Sequence, residues 1–415
     1  MMTTLKTLIA TTVIGLATEI KAQDFDRYFT DNTLRIDYNF AGNANEQHIA
    51  VDELKELPGW YGKRKRLAEL PVEGNGQLTV RDHKTGEVIY RNSFSTLFQE
   101  WLSYPEAQNE TRAFENVFLM PMPRDTVDVT IDLRNSRRKV MVELTHQVVP
   151  ADILIRKTGY NKVTPYETLL YAEDTTRCIH IAFIAEGYQS SEMNTFVEDA
   201  RVAIDAIFAH EPFKSNKGKF NIVAVKATSE ESGTSEPGNG IWRNTALSSH
   251  FNTFYSDRYL TTLNIKDLHD WLAGTPYEHI IVLVNTSKYG GGGILNSYNL
   301  SMTHHEKYRP VVVHEFGHSF AGLADEYAYD NDEIPMYPHD IEPWEKNITT
   351  KADFKGKWEN LIGTDKEAGF HEGAGYSTKG VYRAYPDCRM RTNETPEFCR
   401  ACRQALQQVI DFYTE

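Results

Sequence analysis

His314, Glu315 and His318 fall within five residues of one another, and their types and spacing are those that hold a metal ion and work on a water beside it. On an α-helix of 3.6 residues per turn, side chains four apart project from the same face, so the two histidines can grip one ion. Glu315, one residue on from the first histidine, reaches a water on that ion rather than the ion itself. The chemistry on offer is hydrolysis: an ion that acidifies water and a carboxylate that takes the proton. A bare His-x-x-x-His pair is equally the polar stripe of a surface helix, so the surrounding residues decide.

Those surroundings are apolar. Val311, Val312, Val313, Phe316, Phe320 and Ala321 leave little of the helix for solvent, which would hold the histidines rigidly. Pro310 suits the first helical position and Gly322 the left-handed residue just past the end, framing roughly three turns.

The chain before this helix changes period near residue 158. From Gln23 to about Arg156, Thr33 to Phe40, Gln77 to Arg81, Val127 to Leu133 and Lys139 to Leu144 alternate apolar with polar, as half-buried strands do. Turn-forming residues fall at Asp82 to Gly86 and at Arg134 to Arg138, so a β-sandwich is expected over 23–157. Trp60, Tyr61 and Trp101 would serve as a sugar platform but are read as core, the commoner fate of single aromatics in β domains. Beyond 158, the apolar strand Cys178 to Ala185, the amphipathic helix Ser191 to Phe208 and the strand Phe220 to Val225 make a βαβ crossover, so 158–415 is expected to be α/β. A helix from Ile265 to Leu272 and a strand from His279 to Asn285 follow. The run Gly290 to Gly293 next to it is either an edge where a peptide could pair or a flexible loop.

Composition narrows the function classes. With 44 basic and 58 acidic residues in 415, the net charge is −14 and no sustained basic run exists, which disfavours nucleic acid and anionic lipid as partners. Residues 1–22 read as a signal peptide, with Lys6 before a short apolar run and Ala22 at the cleavage point. That run is too short for a membrane span, so an exported protein is expected. Three of the four cysteines, Cys388, Cys399 and Cys402, cluster near the C-terminus. They offer a structural metal site or a disulfide with one thiol spare; export favours the bridge, and three cysteines cannot complete a four-cysteine zinc site. Asp330, Asn331, Asp332 and Glu333 could hold structural Ca2+, although acidic runs are usually solvated loops.

The motif His314-Glu-Phe-Gly-His-Ser-Phe-Ala-Gly-Leu-Ala-Asp-Glu-Tyr327, with Glu372-Gly-Ala-Gly-Tyr376, Asp387-Cys-Arg-Met-Arg391 and Phe398-Cys-x-x-Cys402, resembles the metzincin clan of zinc peptidases. Within that clan it is similar to the IgA-peptidase family of secreted bacterial metallopeptidases, which pair an N-terminal β domain with the catalytic one. The clan usually places glycine three residues after the second histidine and a third histidine three later. Here Gly322 follows His318 by four and Asp325 lies three beyond it, so a carboxylate replaces the imidazole, with Glu326 as competitor. The resemblance further implies Met390 as an apolar floor beneath the metal and a tyrosine, Tyr382 or Tyr385, at the oxyanion.

The expected protein is therefore a secreted zinc endopeptidase: an N-terminal β-sandwich followed by an α/β metzincin-like domain, acting on protein substrates, host glycoproteins among them. One catalytic Zn2+ would be held by His314, His318 and Asp325, with Glu315 as general base. The alternative is a surface adhesin or glycan-binding protein with a structural or vestigial zinc site. A second enzymatic alternative is a zinc hydrolase acting on another bond.

Overall fold

The computed structural model describes residues 25–329 and 336–415. The segment read as a signal peptide, 1–22, and the acidic run Asp330 to Glu333 lie outside the described residues.

The first part of the chain builds two four-stranded sheets. One has Arg112–Pro123, Phe29–Gly42, Gln47–Leu57 and Arg156–Lys157 side by side; the other has Val88–Phe94, Gly76–Asp82, Val127–Arg134 and Val140–Val148. Alternation decides which residues meet. Leu34, Ile36, Tyr38 and Phe40 of the first sheet share a core with Leu78, Val80, Val129, Ile131 and Leu133 of the second. Trp60 and Trp101 are buried in that same core, and Tyr61 stacks edge-on against His180, so these aromatics form no exposed platform. The four strands expected from alternation are present. Gln47–Leu57, Val88–Phe94 and Arg112–Pro123 are additional to them.

The opposite face of Phe29–Gly42 is buried too, and it is charged. Arg35 lies 2.6 Å from Asp37 and also pairs with Asp270; Lys55 reaches both Asp37 and Asp270 at 3.0 Å. Asp270 belongs to the helix Ile265–Trp271, so this ion cluster joins the first sheet to the later part of the chain.

That later part is centred on a six-stranded sheet in the order Gly291–Ile294, Tyr298–Met302, His279–Val284, Ile179–Glu186, Phe220–Val225 and Tyr166–Leu170. The four central strands are mutually parallel and both edges antiparallel. Ile179–Glu186, the helix Met193–Ile207 and Phe220–Val225 form the crossover read from the sequence. One face, through Ala182, Ile184, Val223, Val225, Val282 and Val284, belongs to the same apolar cluster as the N-terminal sheets. The other, through Ile181, Phe183, Ile222, Ala224, Ile281 and Leu283, packs with residues of the helices Met193–Ile207, Tyr308–Ala321 and Arg400–Thr414. Both faces being covered is why these strands read as continuous apolar runs. Among the described residues, no helix is long and apolar enough to cross a membrane.

Two local expectations need correcting. The helix bearing the histidines begins at Tyr308, so Pro310 is its third residue rather than its first. Proline is tolerated there because the first four N–H groups of a helix have no intrahelical partner. The four cysteines are all free thiols, so the expected disulfide is not formed; the three C-terminal sulfurs instead converge on a carboxylate, described below.

Candidate active site

The helix Tyr308–Ala321 ends where the sequence places its stop: Gly322 has φ 60° and returns its N–H to the His318 carbonyl at 2.9 Å. The chain then turns back beneath the helix. Asn347 brackets Ala324, accepting from its N–H and donating to its carbonyl, both at 2.8 Å, which fixes the returning segment. Asp325 is thereby aimed at the histidines.

Three acceptor atoms meet there. Asp325 Oδ1 lies 3.0 Å from His314 Nε2 and 3.3 Å from His318 Nε2, and the two Nε2 atoms are 3.0 Å apart. Ring tautomers follow from the other nitrogens. His314 Nδ1 donates to the Arg389 carbonyl at 3.0 Å and His318 Nδ1 to the Leu323 carbonyl at 2.5 Å. Carbonyls only accept, so each neutral ring carries its hydrogen on Nδ1 and presents a lone pair at Nε2. Asp325 Oδ1 is buried without a hydrogen-bond partner. Two lone pairs and a carboxylate oxygen facing one point repel one another unless a cation sits among them. Ligands around a tetrahedral ion with bonds near 2.0–2.1 Å stand about 3.3 Å apart, close to the spacing seen. His314, Glu315 and His318 also form a group with the geometry to hold a metal ion, and this donor set fits zinc.

Electrostatics follow the same geometry. Burial works against a charged His318, but the Asp325 carboxylate outweighs it and raises the imidazole to about 9 in the metal-free chain. Burial likewise opposes ionisation of Asp325, yet His318 and His314 together hold it well below the usual carboxylate range. Glu315 is shifted upward by burial, partly countered by the histidines.

The glycine run has a steric reason. Gly291–Ile294 is the edge strand lying against the active-site helix: a Cβ on Gly291 would sit 2.7 Å from Glu315 Oε1, and one on Gly293 would sit 2.5 Å from the Glu315 carbonyl oxygen. The run is therefore neither a flexible loop nor a fully open edge. Arg258 O accepts from Gly291 N–H, and Leu260 N–H donates to Gly291 O. Gly317, inside the motif, is glycine because Met390 fills the space: an added Cβ would lie 2.7 Å from its Sδ.

A model described as IgA Peptidase M64 matches residues 168–367 and 363–410, and one described as Peptidase M64 N-terminus matches 24–145. The chain belongs to the M64 IgA-peptidase family. No protein of curated function matches it closely enough to compare.

For an M64 peptidase the remaining neighbours matter as much as the motif, and sequence reasoning missed several. Tyr376 donates its hydroxyl to Asp325 Oδ2. It stands at the tip of the hairpin joining His371–Ala374 to Ser377–Arg383, where Gly375 and Tyr376 both have positive φ, 55° and 63°. Two-residue hairpins with right-handed strand twist need that, and glycine takes it more readily than tyrosine. Gly375 N–H to Asp325 O and Tyr376 N–H to Tyr327 O, at 2.9 and 3.0 Å, seat the hairpin on the returning segment. The Glu372-Gly-Ala-Gly-Tyr376 motif was the available signal. Tyr382 and Tyr385 are engaged elsewhere: Tyr382 lies under the Lys351 ammonium, and Tyr385 donates to Asp365 at 2.7 Å.

Two further groups reach the peptidase site. Arg258 hydrogen-bonds Tyr329 and lies over the Tyr327 ring, close enough to favour ionised Glu315. Glu100 comes from the N-terminal half, on the short helix Leu97–Trp101 that Thr96 caps, and accepts from Tyr259 at 2.6 Å. Burial lifts it to about 7, against the Tyr259 hydrogen bond and with the Asp325 charge adding.

Proposed function

We propose that this chain is an exported zinc endopeptidase in which His314, His318 and Asp325 hold the metal and Glu315 is the general base. The observation that carries this reading is the convergence of two Nε2 lone pairs and an unpartnered carboxylate oxygen on one point beside Glu315. A zinc ion held there would supply Lewis acidity, bringing a water toward neutral pKa and polarising a peptide carbonyl.

The chain's own residues do the rest. Glu315, raised by burial toward a useful basicity, takes the proton from the attacking water and passes it to the leaving amine. The carbonyls of Arg389 and Leu323 keep both rings turned with Nε2 inward. Tyr376, through Asp325 Oδ2, leaves Oδ1 as the atom facing the histidines. The edge strand and Arg258 wall the site on the Glu315 side.

On this reading the two N-terminal sheets form a β-sandwich over 23–157, and 158–415 form a metzincin-like catalytic domain. Protein substrates follow from a peptidase; host glycoproteins, immunoglobulin among them, are the class the family description points to. The glycan-binding alternative is disfavoured by the burial of Trp60 and Trp101. Incubation of the purified protein with a proteome-derived peptide library, with and without Glu315→Gln, tests the reading. Cleavage by the unaltered chain that the variant lacks, at equal zinc content, supports it; equal cleavage by both would sink it.

A further inference from the structure

A second set of donors converges on the far side of the returning segment. The sulfurs of Cys388, Cys399 and Cys402 and a carboxylate oxygen of Glu326 all lie within 4.8 Å of one another, and all four residues are buried. Cys402 Sγ is 3.0 Å from Glu326 Oε1 and 3.6 Å from Cys388 Sγ. Around a tetrahedral ion with metal–sulfur bonds near 2.3 Å, neighbouring sulfurs stand about 3.8 Å apart. Glu326 is fully buried, yet its Oε2 has no hydrogen-bond partner. A buried carboxylate left this way is strongly disfavoured unless a cation accompanies it.

We propose that Glu326, Cys388, Cys399 and Cys402 form a second metal site, closed and structural, whose donor set selects zinc. Three thiolates exclude the hard cations, which take oxygen ligands, and four protein donors fill a tetrahedral shell with no position open to water or substrate. Loading forms three metal–sulfur bonds and one metal–oxygen bond, and the protons that the thiols and the Glu326 carboxyl hold in the metal-free chain are released to solvent. The surroundings support the resulting negative charge. Asn347 donates to Glu326 Oε1 at 3.0 Å, the Cys399 N–H donates to Cys388 Sγ at 3.2 Å, and the buried Arg383 guanidinium interacts with Glu326. Cys399 is the N-cap of the helix Arg400–Thr414 and Cys402 lies in its first turn, where thiolates are favoured.

The location gives the ion its role. Asp325 and Glu326 are consecutive, the first facing the histidines and the second the cysteines. Cys388 lies two residues before Met390, beneath the active-site helix. One ion would therefore clamp three segments: the turn bearing Asp325, the turn bearing Met390, and the C-terminal helix. The donor set stands whether or not the protein cleaves peptides; only this positioning role rests on the proposed function.

The test uses the full-length chain purified without chelator under reducing conditions. Zinc per chain is measured for the unaltered protein, for His314→Ala/His318→Ala, and for Glu326→Gln/Cys402→Ser. About two equivalents are expected in the first and about one in each variant. The histidine variant keeps every proposed donor of the second site. Loaded with cobalt(II), it should show a thiolate-to-metal charge-transfer band and intense tetrahedral visible bands. Zinc near zero and no such band in that variant overturn the proposal, even if the cysteine variant fails to fold. Thiol titration of a separate sample, purified without reductant and then denatured, is an independent measurement: four free thiols after metal removal are expected, and two would mean a disulfide instead. Absence of peptide cleavage by the unaltered, zinc-loaded chain, with the charge-transfer band present in the histidine variant, would reject the peptidase reading and leave the second site standing.

Discussion

The N–H of Glu326 donates to the carbonyl of Met390 at 2.8 Å, so the peptide unit joining Asp325 to Glu326 is pinned to the turn beneath His314. The preceding residue of that turn, Arg389, accepts from His314 Nδ1. The returning segment is thus held to the turn through backbone groups and the helix to the turn through the His314 imidazole, and other side-chain changes around them have separable effects.

Glu315→Gln removes the proposed proton acceptor and leaves both histidines and Asp325 in place. Metal content should stay normal while turnover falls by on the order of a hundredfold or more. Elemental analysis and peptidase rate on the same sample check both halves; near-normal turnover would rule out Glu315 as the base.

Tyr376→Phe deletes the hydroxyl that holds Asp325 Oδ2. Metal affinity, followed by competition with a chromogenic chelator, should weaken by roughly tenfold to a hundredfold. The melting temperature of the loaded protein should move little. Unchanged affinity would show that the hairpin tip does not orient the carboxylate.

Gly291→Ala and Gly293→Ala should part company. The added methyl at Gly291 meets Glu315 Oε1, the movable end of a side chain, so stability should hold while turnover drops. At Gly293 it meets the Glu315 carbonyl oxygen and His318 Cβ at 2.5 and 3.0 Å, which cannot move without the helix. That variant should lose on the order of 1–3 kcal/mol in urea unfolding. Equal behaviour of the two would contradict the packing.

The metal-free protein should be pH-sensitive in a defined window. His318 is raised to about 9 from an ordinary value near 6.5, so its pairing with Asp325 stabilises the fold fully below about 6.5 and fades as pH climbs through about 9. Asp325 is shifted the other way, so its contribution is present above the ordinary carboxylate range and is lost only in stronger acid. Melting curves of chelator-treated protein should decline between pH 6.5 and 9 more steeply than those of His318→Ala. Parallel curves would mean the pair carries no stability.

Asp37→Ala strips the shared acid from Arg35 and Lys55, both almost fully buried. Leaving the two buried cations only the half-exposed Asp270 and, for Lys55, Glu53 should remove on the order of 3 kcal/mol. Asp270→Ala should do less, because Asp270 is half exposed and Asp37 remains. Equilibrium unfolding of the two variants gives the ranking.

Much of the catalytic half was legible because its signals are local. Gly322 marks the helix end, His314 and His318 share a face, and the parallel strands are apolar throughout because both faces are covered. What escaped depends on distant partners. Gln47–Leu57 carries Lys55 and Glu53, and Lys55 finds partners across the sheet and on a helix more than two hundred residues away, so the segment is too polar to read as a strand. Tyr376 reaches Asp325 only through a hairpin whose tip docks by backbone contacts. Cysteines alone leave the C-terminal cluster one donor short, because the carboxylate beside them comes from the turn after the active-site helix, where spacing presents it only as a rival to Asp325. Glu100 belongs to a segment with no chemical motif of its own.

The strand Phe29–Gly42 sends Leu34, Ile36, Tyr38 and Phe40 into an aromatic layer and turns Arg35 and Asp37 toward the helix Ile265–Trp271. Sliding it by one residue would exchange the two sets, driving charges into the apolar layer and oily side chains against Asp270. Strand pairing and the seating of the two halves are therefore checked by the same alternation. A chain that misaligned this strand would also fail to close its halves around Glu100 and the peptidase site, so assembly of the N-terminal half and competence of the active site succeed or fail together.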